Sequence, residues 1–458
     1  MPRQSLGSAC ENVKLSQYEK EFTPKMNMTG TVPLTKAVTL APAGESRLIK
    51  RLIWVYFILL LFEGALRKWF LPGMSQELLI VRDPIVIWIY YLVFAQGLFP
   101  INNAYIKKAF QWTLLAAAIS LVIVGANWKA IVYGIHTNLL HFPLIFIMAR
   151  VLNKKDVIRF GKAFLILALP MTWVVTQQFQ VDRDDILNVA AGGTGFQLET
   201  SGGKVRSSGS FSFVSGIVFY YCFAVSFIIY GFIHKNIFPK WVLYLGTGAT
   251  LLAMVTSGSR AVIAESLQVV ACLGFLAYYR PHEFGKITAF ALGFSTVAIV
   301  LYSQLDLFKE GIEFLSLRFE EAANVEGNPV EAYFNRYYEI ISAPYYYSMY
   351  TDTLGSGLGI ATRAGSALSG GYGSAEVSWS RHIIENGTII GGLFIIWRIW
   401  ITKDLLIVCI DSIKRSNYLP ILLFGAAGPI IAFGLLGQPT NLGFAAFGCG
   451  ICIASTKD

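Results

Sequence analysis

Charged side chains are scarce. Asp, Glu, Lys and Arg make up 14% of the 458 residues, where a water-soluble domain of this length carries roughly a quarter. With 55% hydrophobic residues and a mean hydropathy of +0.55, that scarcity excludes an ordinary soluble enzyme. Cysteine is sparse as well. Cys10 lies in a polar tail, and Cys222, Cys272, Cys409, Cys449 and Cys452 lie in or beside apolar runs, so no disulfide framework is expected. Cys449 and Cys452 have redox spacing but no His or carboxylate neighbours, which reads as helix packing. Also missing are a Walker A loop, a Rossmann fingerprint, a zinc signature and a nucleophile elbow. No fixed-period repeat occurs, and no matched pair of interrupted helices of the kind expected in many secondary transporters. No cleavable signal peptide is visible, so insertion is expected to start with the first internal apolar segment.

What is present is a series of apolar segments near the ~20-residue spanning length. They fall near 52–71, 84–100, 109–126, 131–151, 159–177, 211–233, 241–257, 261–279, 287–304, 383–402, 419–436 and 440–455. The pattern predicts an all-α fold, a polytopic transmembrane helical bundle of about 12 spans. The 33 Phe, 22 Tyr and 10 Trp fit a chain with many interfacial anchors. Residues 1–50 read as a flexible tail, 51–304 as spans one to nine, 305–380 as a large outer loop, and 381–458 as spans ten to twelve. Positive loops such as "ARVLNKKDVIRFGK", "HKNIFPK" and "YYRPHEFGK" collect on one side, which the orientation rule assigns to the cytoplasm together with both termini. Arg398, near the inner end of span ten, is expected to snorkel to water. The net charge of +9 sits mostly in these short loops, so it points to no nucleic acid partner.

Two long segments face the other side. The first, near 178–210, is Gly- and Ser-rich and expected to be mobile. In the second, Asn328, Pro329 and Glu331 have the spacing of a helix start, with Pro344 closing a short helix. Around it Tyr333, Phe334, Tyr337, Tyr338, Tyr345, Tyr346, Tyr347 and Tyr350 offer a platform for sugar rings or for the bilayer surface. "GSGLG", 355–359, reads as a turn.

The informative residues are cations on the side that normally avoids them: Arg67, Lys68, Arg82, Arg260, Arg318, Arg336 and Arg381. Singly, each has a local explanation. Glu63 is four residues before Arg67, Asp83 follows Arg82, and Glu320 and Glu321 follow Arg318. As a set they suit a shared anionic ligand, because the planar arginine fork matches phosphate oxygens. A lipid pyrophosphate would lie at that depth. Asp182, Asp184 and Asp185 are the tightest aspartate group, but Arg183 lies among them. Fixed arginines can stabilise a leaving phosphate without a metal, so no metal or other cofactor is expected. His136 and His141, five apart, do not share the face of an α-helix and read as packing residues. Glu265 reads as structural support for Arg260.

Taken in order, "TSGSRAVIAES", "LRFEEA", "NRYYEII", "GSGLG" and "RHIIENGTIIGGLFIIW" resemble the bacterial O-antigen ligase and O-antigen polymerase superfamily. "FEGALRKW" and "VRDP" resemble a branch associated with extracellular polysaccharide. The resemblance covers roughly residues 50–450. It implies a metal-independent membrane glycosyltransferase of the inner membrane, with the outer loops periplasmic. Its substrates would be an undecaprenyl-diphosphate oligosaccharide donor and a glycan or lipid acceptor, within membrane lipids and beside export and chain-length partners. Arg260 and Arg336 would correspond to the pyrophosphate-holding arginines, with Arg318 a third. The ligases carry a His about nine residues before "E-x-G"; here "E-N-G" is Glu385 to Gly387, so that position is Glu376. His382, three residues before Glu385, is the second candidate base, and Glu385 is expected with Arg381 at the floor of the site. A carboxylate can also activate a hydroxyl, which makes Glu376 the expected base. A polymerase leads, with a ligase for a lipid or protein acceptor, or a flippase of lipid-linked sugars, as alternatives.

Overall fold

The computed structural model of the protein describes residues 46–193, 195–200, 203–370 and 375–457. Most of the tail, 1–45, lies outside them. Among the described residues the fold is helical, with two isolated β-bridges, Val189 with Phe196 and Glu199 with Val205. Helices form at all twelve apolar segments. They are α1 (Ser46–Ala65), α2 (Asp83–Ala95), α3 (Ala104–Val122), α4 (Trp128–Ile135), α5 (Phe142–Val151), α6 (Lys154–Gln180), α7 (Ser215–Ile233), α8 (Lys240–Thr256), α9 (Arg260–Tyr279) and α10 (Phe284–Gln304). After these come α11 (Asp306–Glu326), α12 (Pro329–Tyr350), the short α13 (Arg363–Leu368), α14 (Ser378–Lys414), α15 (Leu419–Phe433) and α16 (Pro439–Ala454). Six helical stretches of the described residues are long and apolar enough to cross a membrane.

Burial orders the bundle. The apolar stretch of α7 is 94% buried and forms the centre, whereas the stretch that contains α10 is 6% buried and lies at the perimeter. Phe57, Phe160, Phe164 and Phe447 pack with ring centroids 5.1 to 5.4 Å apart, mostly edge-on or tilted, and join α1, α6 and α16. Asn153 opens α6 with a capping box, its Oδ1 accepting from the Asp156 N–H at 3.0 Å. Lys50 then ties α1 to the same Asp156 at 2.6 Å.

Several expectations need correction. Segment 305–380 is not a loop with one short helix: α11 and α12 have 21 and 22 residues, and Pro344 lies inside α12. A proline costs one helical hydrogen bond, and the other bonds of α12 carry the helix past it. The described part of 178–210 is tied down, with Ser207, Ser208 and Ser210 buried. The 37-residue α14 is two helices joined at Gly387, whose φ of 70° and ψ of 178° are not helical. The chain reverses there, so 378–386 packs back against 388–414. An added Cβ on Gly391 would stand 2.4 Å from the His382 carbonyl oxygen. Arg398 consequently does not snorkel. It is 1% exposed and donates to the Ser378 hydroxyl and to the carbonyls of Ile431 and Gly434, at 2.8 and 2.7 Å. Carbonyls at the end of α15 lack helical donors, and this guanidinium supplies them.

Candidate functional site

Two short turns break the helical regularity. At Leu66–Phe70 and at His136–Leu140 the chain forms single π-helical turns, with i→i+5 hydrogen bonding. The first carries Arg67 and Lys68. The second places His141 one π-turn after His136, so both imidazoles face Asp83, each with Nε2 at 3.0 Å from a carboxylate oxygen. The expectation that these histidines share no face fails because it assumed 3.6 residues per turn.

The expected cations fall into two groups. In the first, Arg260 begins α9 after the Ser257–Gly258–Ser259 turn, Arg318 lies on α11 and Arg336 on α12. Gly258 has a φ of 63°, and a Cβ there would stand 2.8 Å from Phe314, so the turn packs tightly on α11. The three arginines line one cavity of about 280 Å³ with Glu265, Ser215, Ser259 and Arg206. Arg206, from the segment between α6 and α7, is a cavity cation that the sequence analysis did not single out. Its burial, followed by the like charges of Arg318, Arg260 and Arg336, holds its guanidinium below its ordinary pKa. Its Nε has no hydrogen-bond partner among the described residues. Arg318 pairs with Glu321 rather than Glu320, while its own Nε also lacks a partner. Arg206 is a further cation in the long 178–210 segment. The glycines and serines around it suggest mobility in the sequence, which hides its fixed position.

The second group lies beside α1, α2, α14 and α16. Arg82 turns away from its neighbour Asp83 and pairs with Glu63, Nε to Oε2 3.2 Å, and Nη2 donates to the Pro439 carbonyl at 2.6 Å. The local Arg82–Asp83 pair is thereby corrected. Helix α1 presents Glu63 toward Arg82, while the start of α2 turns Asp83 to the histidines. Arg67 is 3.4 Å from Glu63 as expected and donates to Ser75 and to the Ser212 hydroxyl. Lys68 is buried and donates to the Ser208 hydroxyl and the Gly209 carbonyl. Arg381 donates to Asn138 Oδ1 at 2.7 Å and lies 3.9 Å from Glu385. These four cations hold segments together; none of them lines the arginine cavity.

Glu385 is fully buried at the hairpin tip, where Gly355 and Gly357 of "GSGLG", both at positive φ, lie against its backbone, while Gly359 packs on Ala130 and Gly134. The Ser356 and Gly357 N–H groups donate to the Ile384 and Glu385 carbonyls. His382 is 3% exposed, stacks on Phe394 at 5.1 Å, and neither ring nitrogen has a partner among the described residues. Glu376 is exposed, two residues ahead of α14, and does not line the arginine cavity. Of the tyrosines, Tyr337 accepts from Gln268 at 2.7 Å, whereas Tyr338, Tyr345, Tyr346 and Tyr350 are exposed. Tyr333 lies outside the residues whose side chains are described. The five described cysteines are buried free thiols, as expected of packing residues.

No known protein-family profile matches the chain, and no curated protein is detectably similar to it.

Proposed function

We propose that the chain is a membrane glycosyltransferase. It polymerises or transfers undecaprenyl-diphosphate-linked oligosaccharide repeat units at the periplasmic face of a bacterial inner membrane. The observation that carries this reading is the convergence of Arg206, Arg260, Arg318 and Arg336 on one polar cavity. Four cations with few acids among them suit a ligand that carries several negative charges. Arginine forks suit phosphate oxygens, and fixed donors stabilise a diphosphate as its charge grows. The accompanying topology has twelve spans, both termini in the cytoplasm, and α11, α12 and the Arg206 segment on the periplasmic side.

The chemistry is substitution at an anomeric carbon. An acceptor hydroxyl forms the new glycosidic bond, the bond to the lipid diphosphate breaks, and the hydroxyl proton passes to a base. Glu376, exposed at the start of the hairpin helix, is the carboxylate proposed for that role. Buried Glu385 and His382 shape the hairpin next to Arg381. A flippase would line a path through the membrane depth with charge, whereas these four arginines meet in one place, which favours an enzyme.

Substituting Arg206 and Arg260 separately by Lys tests the reading, because the charge remains while the bidentate geometry is lost. Loss of glycan product at normal protein level supports it. Undiminished product from both variants contradicts it.

A further inference from the structure

Asp83, His136 and His141 meet outside the arginine cavity. Their carboxylate oxygen and ring nitrogens all lie within 4.8 Å of one another. We propose that they bind a divalent transition-metal ion, with zinc the best match. Three features support this. The π-turn at His136–Leu140 brings two imidazoles to a single carboxylate. Two histidines and one carboxylate, with a fourth position left for water, form a common zinc ligand set. Zinc ligands at about 2.0–2.1 Å from the ion lie roughly 3.3 Å apart, close to the 3.0 Å between each Nε2 and Asp83.

The surroundings fit. Asp83 has no ion-pair partner among the described residues except the two imidazoles, because Arg82 is engaged by Glu63. The Tyr56 hydroxyl lies 3.1 Å from His141 Nδ1, the kind of outer contact that fixes a ligating imidazole through its other nitrogen. The three ligands come from the start of α2 and from both ends of the π-turn, so the ion would fasten α2 to the α4–α5 junction. The proposal rests on this geometry alone and stands whatever the glycosyltransferase reading becomes.

Purified protein in nanodiscs, prepared without chelator, is assayed for metals by mass spectrometry, then stripped and titrated with Co2+. About one equivalent of metal per chain is expected, with Co2+ giving visible d–d bands. His136→Gln and His141→Gln keep an N–H for Asp83 but remove a ligand, so Co2+ affinity should fall roughly 100-fold or more. Should either variant fail to fold, Asp83→Asn gives the same readout. A purified protein without stoichiometric metal, whose stripped form develops no d–d bands with Co2+, overturns the proposal and leaves Asp83 hydrogen-bonded to the two histidines.

Discussion

Arg398 donates a hydrogen bond to the hydroxyl of Ser378, although twenty residues separate them in one helical segment. A straight helix would hold them about 30 Å apart. The contact exists because the chain doubles back at Gly387, and the guanidinium then also reaches the end of α15. Replacing Arg398 by Lys keeps the charge and loses most of these donors. Thermal unfolding in detergent should show a loss of about 1.5–3 kcal/mol; an unchanged midpoint would contradict the role assigned to it.

The hairpin itself depends on glycine. A Cβ on Gly387 would stand 1.8 Å from the Thr353 carbonyl oxygen at a φ of 70°, whereas one on Gly392 meets nothing within 4 Å. Gly387→Ala should therefore sharply lower folded yield, the backbone strain alone being about 1–3 kcal/mol. Gly392→Ala should match the parent. Equal yields from both variants would mean that the reversal is not built on Gly387.

The four cavity arginines should act as a set. Each Arg→Lys change at 206, 260, 318 and 336 should reduce donor turnover roughly 10- to 100-fold, the worth of a charge-assisted hydrogen bond. Arg67→Lys should instead act on stability, since Arg67 bonds Glu63, Ser75 and Ser212. Turnover in the purified variants, alongside their melting points, separates the two groups.

The two acids should separate in the same way. Glu376 is exposed and Glu385 fully buried. Glu376→Gln should lower turnover by roughly 10²–10⁴ while leaving the melting point unchanged. Glu385→Gln should shift the melting point. If Glu376→Gln retains full turnover, the base lies elsewhere.

His234, just past α7, has its pKa lowered to about 4 by burial and by Lys286 and Lys154, with Glu283 opposing them. The unfolded residue titrates near ~6.5. Between these values the unfolded chain binds a proton that the native protein does not. Stability is then full above about 6.5 and falls as the pH drops toward 4. The melting point should drop between pH 7.5 and 4.5, and His234→Asn should remove part of that drop. An identical pH slope in the variant would rule out this contribution.

Much of the helix order was legible in the sequence, because apolar runs bounded by Pro, Gly and charge mark helices whatever surrounds them. The turn before Arg260 was legible for the same reason. What escaped was local departure from 3.6 residues per turn. Neither π-turn alters the hydropathy pattern, so the meeting of His136 with His141 could not be read from spacing. The reversal at Gly387 falls in the polar "ENGT" stretch just before the apolar run that begins at Ile389, and it depends on backbone contacts with Thr353 and Gly355 that are distant in sequence. Arg206 was visible as a residue, but its place beside Arg260, Arg318 and Arg336 depends on long-range packing of the 203–212 segment.

The central claim is tested most directly by giving the purified protein an undecaprenyl-diphosphate oligosaccharide in nanodiscs, with no added metal, and separating the products on a gel. The account predicts a ladder of repeat lengths, or a single transferred product once a lipid or protein acceptor is supplied. Either product should disappear in the Arg206→Lys, Arg260→Lys double variant. Donor recovered intact under both conditions would contradict it.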